Sequence, residues 1–191
     1  MDQQLKRIKA NHDRIVDLPS DRLSRVFGAG KHKFVLNPVA SLKEVEELEQ
    51  KYSFVLPEGY KRFILEVGDG GAGPFYGLKQ RFTPLGATLR AEEARTYCRP
   101  SIYTSGQQVA EAGAGDDEED DPHLHGNMVL FEVGCGSEGV LVLNGPMRGK
   151  VCITDYGYTP HQFCTPSNFL DLYESWQLAV LSGRTPSGFG F

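Results

Sequence analysis

The chain has only four cysteines in 191 residues, Cys98, Cys135, Cys152 and Cys164, and no two form a C-x-x-C pair. This excludes the zinc and dithiol motifs built on paired cysteines, and it fits reduced, mostly buried thiols. Long apolar runs are missing too: nothing approaches the roughly 18 residues that a membrane-spanning helix needs. The first residues, MDQQLKRIKANHD, contain no apolar stretch of the secretory type. A cytoplasmic location with no membrane attachment is therefore expected. No internal repeat occurs. One stretch, GDGGAG at Gly68–Gly73, has the spacing of a dinucleotide-binding turn but lacks its context. Such a turn needs a strand entering and a helix leaving, so that free helical N–H groups face the phosphates. Here a helical pattern runs in, and Pro74 follows at once. The glycines are expected to end that helix, with Gly68 as its left-handed terminator, and to turn the backbone tightly before a strand. No cofactor is expected.

Charge is sparse in net terms and uneven in position. The total is −5, but residues 1–35 hold eight Lys/Arg against four Asp/Glu, a balance of +4. The remainder carries −9, and six of those charges sit together in Asp116, Asp117, Glu118, Glu119, Asp120 and Asp121. Adjacent like charges repel and resist burial, so this run is expected to stay solvated without fixed structure. It also opposes phosphate binding by the mildly basic N-terminal segment, and direct binding of nucleic acid is not expected.

Apolar spacing marks out the elements. Leu5, Ile8 and Ile15 form a sparse stripe in a basic, helical extension over residues 1–35. Ser20 reads as the cap of a short helix through Leu23, Val26 and Phe27, stopped by Gly28. Ser41-x-x-Glu44 is a capping box, followed by Leu42, Val45, Leu48 and Tyr52 at helical spacing. Pro57 opens another helix, whose apolar face is Tyr60, Phe63, Ile64 and Val67. A further helix is expected over Thr88–Cys98, then a polar loop over residues 101–125. The period then changes to that of strands: Asn127–Val133, Gly139–Leu143 and Lys150–Thr154, with a fourth expected near Tyr158–Phe163. Asn144–Gly149 has the residue types of a hairpin turn. Phe169, Leu172, Tyr173, Trp176, Ala179 and Val180 mark a closing helix stopped by Gly183, with a loose tail over residues 184–191. Helices, then antiparallel hairpins, then a helix indicate α+β, with a main domain over residues 36–183.

These blocks resemble the SUKH superfamily, specifically its Smi/Knr-type branch. Leu56-Pro57 with Tyr60 and Phe63 looks like the family's L-P-x-x-Y-x-x-F helix. Gly70-Gly71 and Gly73-Pro74 with Tyr76-Gly77-Leu78 match its glycine turn. Gly134-Cys135-Gly136, Val142, Asn144-Gly145-Pro146 and Arg148-Gly149-x-Val151 are similar to its signature hairpin. Phe169-Leu170, Tyr173 and Trp176 match its closing helix. Where many relatives carry Trp after the hairpin's last valine, this chain has Cys152. The resemblance implies a central antiparallel sheet flanked by helices, and no enzymatic activity. It implies a protein partner: bacterial members are typically immunity proteins against toxins, often nucleic-acid-targeting, while fungal relatives act as interaction hubs.

Several residues are candidates for function. The Asp116–Asp121 polyanion could mimic phosphates in the basic cleft of a nuclease toxin and speed association, or simply keep the loop in water. Arg148, at the hairpin tip, could meet a partner. His123-x-His125, with Asp121, offers metal-ligand types, but no second paired motif supports a metal site. Cys135, Cys152 or Cys164 with His161 and Asp155 supplies the residue types of a cysteine hydrolase without any local nucleophile motif. Tyr60, Phe63, Tyr173 and Trp176 could be read as an aromatic cage, but their helical spacing indicates core. The expected function is stoichiometric occlusion of a toxin. An adaptor hub and a Cys/His enzyme are the alternatives.

Overall fold

The computed structural model describes residues 3–82, 94–105, 124–155 and 161–184. Six helices and a four-stranded antiparallel sheet make up these residues, an α+β architecture. The chain begins with α1 (Gln3–Val16), α2 (Ser20–Leu23) and α3 (Ala29–His32). The expected helix from Ser20 to Phe27 is shorter than its apolar spacing suggested. Pro19 rather than Ser20 stands at its cap, no side chain caps it, and the helix ends at Leu23. Gly28, at φ 77°, opens α3 instead of closing α2.

Helix α4 (Leu42–Tyr52) starts at the capping box: Ser41 Oγ accepts from the Glu44 amide at 3.2 Å, and Glu44 accepts from the Ser41 amide at 3.0 Å. Helix α5 (Glu58–Glu66) follows Pro57. Its end corrects the expectation for Gly68. Val67 closes the helix in a right-handed conformation, and the left-handed glycines are Gly70 and Gly71. Gly68 is small for reasons of space, since a Cβ there would lie 2.9 Å from the Asn37 carbonyl oxygen.

The turn beyond α5 is held by Asp69, which is fully buried. Its carboxylate accepts from the backbone amides of Arg81, at 3.0 and 3.2 Å, and Phe82, at 2.6 Å. The segment so held runs along the outer edge of the first strand: the Lys79 amide donates to Leu130 O at 2.7 Å, and the Arg81 guanidinium donates to Val129 O. On the other side Gly71, at φ 94°, lies against residues 35–37, and a Cβ there would sit 2.3 Å from Val35 O. The glycine-rich stretch thus joins three backbone segments at close range, a role that needs no phosphate. The helix expected over Thr88–Cys98 is a single 3-10 turn, Ala94–Thr96, where it is described, and residues 88–93 fall outside. The Asn144 amide group donates to the carbonyls of Tyr97 and Arg99, holding the stretch after this turn against residue 144.

The strands are β1 (Asn127–Gly134), β2 (Ser137–Val142), β3 (Lys150–Asp155) and β4 (Gln162–Asn168), in sheet order β1-β2-β3-β4. The fourth strand lies later than the expected 158–163, and residues 156–160 are outside the described set. Alternation sends Met128, Leu130, Leu141, Val151 and Ile153 to the face covered by helices. Val129, Val140, Val142 and Cys152 point the other way, under Ile102, Tyr103, Leu124, Met147 and Phe163. Both faces are covered, so β1 reads as a continuous buried run rather than an alternating one.

Helix α6 (Phe169–Leu181) carries the centre of the helical layer. Asn168 caps it, its Oδ1 accepting from the Leu170 amide at 3.0 Å. Phe63 of α5 meets Phe169 and Tyr173 edge-on, at 5.1 and 4.7 Å between ring centroids. The expected helical spacing of these aromatics therefore builds core, not a ligand cage. Tyr173 also donates to Ala72 O at 3.0 Å, fixing the glycine turn to the helix. Leu5, Ile8 and Ile15 of α1 are fully buried, with α1 running parallel to α6. Its register is set by Gln4 donating to Asp171, Arg7 paired with Glu174 at 2.7 Å, and Gln177 donating to Ile8 O at 2.9 Å. The hydrogen bond from Arg7 holds the Glu174 carboxyl below its ordinary pKa. Although α1 is sparse in apolar residues, it shares the same core as the rest.

Candidate partner-binding surface

A change of register between β3 and β4 opens the surface on that side of the sheet. Lys150 pairs with Asn168, and Cys152 pairs with Phe163. Two steps along β3 thus correspond to five along β4, and the extra residues bow outward. The bow leaves an open groove of about 400 Å³, lined by Met147 and Lys150 on one side and by Gln162, Phe163, Cys164, Thr165 and Ser167 on the other. Among the described residues no strand pairs with the outer edge of β4. The opposite edge of the sheet is closed by residues 76–82, so the two edges are not equivalent.

Next to the groove is the β2–β3 turn, closed by Gly149 N donating to Val142 O at 2.8 Å. Arg148 belongs to this turn, but it is not a free tip residue. Its Nη2 donates to Val55 O at 3.2 Å and to Leu56 O at 2.8 Å, clasping the α4–α5 connection. That connection is itself tied down, since the Leu56 amide donates to Glu49, which also pairs with Lys61 at 2.7 Å. Val55 beside the clasp is 61% exposed. The arginine therefore joins two loops into one surface and still presents its exposed guanidinium to solvent.

The third component is the polar segment before β1. Ser101 Oγ donates to Asn127 Oδ1 at 2.8 Å, and the Ser101 amide donates to Asn144 Oδ1 at 3.0 Å. These bonds lay Tyr103 across the outer face of the sheet, where its ring meets Phe163 of the groove at 6.0 Å. Leu124 packs on the same cluster. Residues on both sides of the 106–123 interval are thus anchored near the groove. Asp116–Asp121 and His123 lie outside the described residues. His125 is described, and Arg99 donates to its Nε2 at 2.7 Å. Among the described residues no three His, Cys, Asp or Glu side chains gather at metal-binding range.

The sequence model of the SMI1 / KNR4 family (SUKH-1) matches residues 39–174. The chain belongs to this family. No curated protein and no solved structure gives a match. The SUKH-1 match takes in α4, α5, the glycine turn, the whole sheet and the first part of α6, so the groove and the Arg148 clasp both lie within it. Helix α1 lies before it. SUKH-1 proteins in general act by binding rather than by catalysis, and many are immunity proteins.

The two buried cysteines of this SUKH-1 chain have the opposite of nucleophilic surroundings. Burial pushes the Cys152 and Cys164 thiols up to about 12. His161 is bonded through Nδ1 to the Tyr103 hydroxyl at 2.8 Å, within a buried, largely apolar cluster. An activated cysteine needs the reverse, a thiolate stabilised by a nearby cation or base. Cys98 and Cys135 are exposed. With a maleimide reagent under native conditions, two thiols are expected to react promptly. Cys152 and Cys164 should react only on the time scale of unfolding. Prompt labelling of Cys152 would contradict its burial under Tyr103.

Sequence reasoning missed three contributors to this surface. Asn144 was read only as a turn and hairpin-signature residue, but its side chain ties the turn to residues 97–101 through three hydrogen bonds. Ser101 was read only as the start of a polar loop and Lys150 only as the start of a strand, with no functional signal in either. The register change in β4 has no motif, because it depends on what β3 does opposite.

Proposed function

We propose that this chain is an immunity protein that neutralises a protein toxin by covering its active cleft in a stoichiometric complex. The SUKH-1 match over residues 39–174 carries the reading. Three features support it. The β2–β3 turn, the groove and the Tyr103 segment form a continuous surface braced by hydrogen bonds, and a rigid surface loses little entropy on binding. The run Asp116–Asp121 supplies six negative charges in the interval between Tyr103 and Leu124, which are anchored on that surface. Such a polyanion suits the basic cleft of a nucleic-acid-targeting toxin and accelerates encounter at low salt. The buried, protonated cysteines give catalysis no nucleophile there.

The test is affinity capture from the native host with the full chain and with a variant lacking residues 116–121, washed at low and then high salt. One dominant partner with a toxic domain, inhibited at a one-to-one ratio, is the expected result. Loss of that partner without the acidic run, or at high salt, would assign the run to the interface. Several weak partners without toxicity would replace this reading by the adaptor hub. Substrate turnover by the purified chain would overturn both.

A further inference from the structure

We infer that the groove between the β2–β3 turn and the bowed part of β4 is a receptor for an acidic side chain on the protein partner, with Lys150 as its counter-charge and Phe163 and Met147 as the apolar wall beside it. The inference rests on the partner being a protein, as proposed above, and adds the chemistry that this partner must present.

Lys150 is half-buried and lines the groove, yet among the described residues its ammonium has neither an ion pair nor a hydrogen bond. Of the other lysines of comparable burial, Lys61 pairs with Glu49 at 2.7 Å and Lys79 with Glu138 at 3.1 Å, while Lys9 of α1, away from the groove, has no partner among the described residues. A half-buried ammonium carries three donors and gains most from an ionised acceptor. The backbone of Lys150 is pinned opposite Asn168 in the sheet, so the base of its side chain is positioned before any partner arrives. The rest of the lining is mixed. Phe163 and Met147 also pack on the outer-face cluster, while Gln162, Thr165 and Ser167 offer polar groups along the bowed strand. A volume of about 400 Å³ is at the small end of the range of about 300–1,000 Å³ for ligand sites. It suits one or two side chains, not a helix. A cation unpaired among the described residues, beside a partly buried ring, therefore selects a carboxylate next to an apolar residue on an extended partner segment. Among the described residues the outer edge of β4 is unpaired, which leaves room for that segment to run past.

The experiment uses the full chain and three capped dipeptides as probes: Ac-Phe-Glu-NH2, Ac-Phe-Gln-NH2 and Ac-Phe-Lys-NH2. Backbone amide shifts at Gln162, Phe163, Thr165 and Ser167 report binding. The glutamate peptide is expected to perturb these amides and to bind about tenfold tighter than the glutamine peptide. Lys150→Gln should abolish that difference and leave amides outside the groove unshifted, because the native side chain bonds nothing among the described residues. Equal binding of the three peptides, or no binding at millimolar concentration, would overturn the proposal. So would an equal response to sodium acetate, which would make this a site for small carboxylates. Movement of the same amides on deleting residues 116–121, with no peptide present, would show the chain's own acidic run as occupant and also overturn it. None of these outcomes depends on capturing a toxin, so failure here leaves the immunity reading to its own test.

Discussion

Replacing Trp176 by alanine is expected to lower the unfolding free energy by about 3–5 kcal/mol. The side chain is 1% exposed and sits where three elements converge. It stacks near-parallel on Phe34 at 6.3 Å, meets His32 edge-on at 6.0 Å and lies 5.4 Å from Tyr173, centroid to centroid. The loss has two parts, the transfer of a large apolar group and the cavity it leaves. Collapse into that cavity is hindered because Phe34 and Lys33 already hold the left-handed backbone conformation, at φ 55° and 48°. Against a total stability of about 5–15 kcal/mol for a domain, this is a large share. Urea unfolding should show a midpoint shift with an unchanged slope. A loss below about 1 kcal/mol would mean that the aromatic cluster is not the centre of the helical layer.

Asp69→Ala is expected to cost about 3 kcal/mol or more, through unmade hydrogen bonds rather than lost packing. Two backbone amides, those of Arg81 and Phe82, would lose their acceptor in a site from which water is excluded. Each such group costs about 1–3 kcal/mol when buried without a partner. Asp69→Asn keeps one acceptor oxygen and the volume, so it should lose clearly less than the alanine variant. Equal losses would show that the charge matters, not the bonds to these two amides. Hydrogen exchange gives a second readout: the amides of Arg81 and Phe82 should lose protection in the alanine variant before those of β2 and β3 do.

Much of the fold was legible because its signals are local. The capping box at Ser41 and Glu44 is written within four residues and forms as read. The aromatic spacing of α6 announces a buried face, and the β-branched runs announce strands. What stayed hidden depends on residues distant in sequence. Gly68 stands where a terminator is expected, but the backbone of residue 37 sets its size. Asp69 looks like any acidic turn residue until its carboxylate is seen to hold amides 12 and 13 residues further on. Arg148 was singled out for its exposure, and its bonds run to carbonyls 92 and 93 residues away. The candidate groove was the least legible part. It arises from unequal counting along two paired strands, which neither strand reveals alone. The acidic run, by contrast, was plain from composition, since like charges in sequence need no fold to identify them.

The pairing of α1 with α6 has a consequence for the order in which the chain acquires its structure. Gln4 and Arg7 meet their partners at a sequence separation of 167 residues. Contacts of such high order form late, because most of the intervening chain must be ordered before the two helices can meet. During synthesis α1 emerges before its docking site, which is completed only when residue 181 has left the ribosome. Helix α1 therefore waits, amphipathic and unpartnered, until α6 has been made. A basic polar face and only three large apolar residues on the other side suit that interval, since a richer stripe would invite aggregation of the nascent chain.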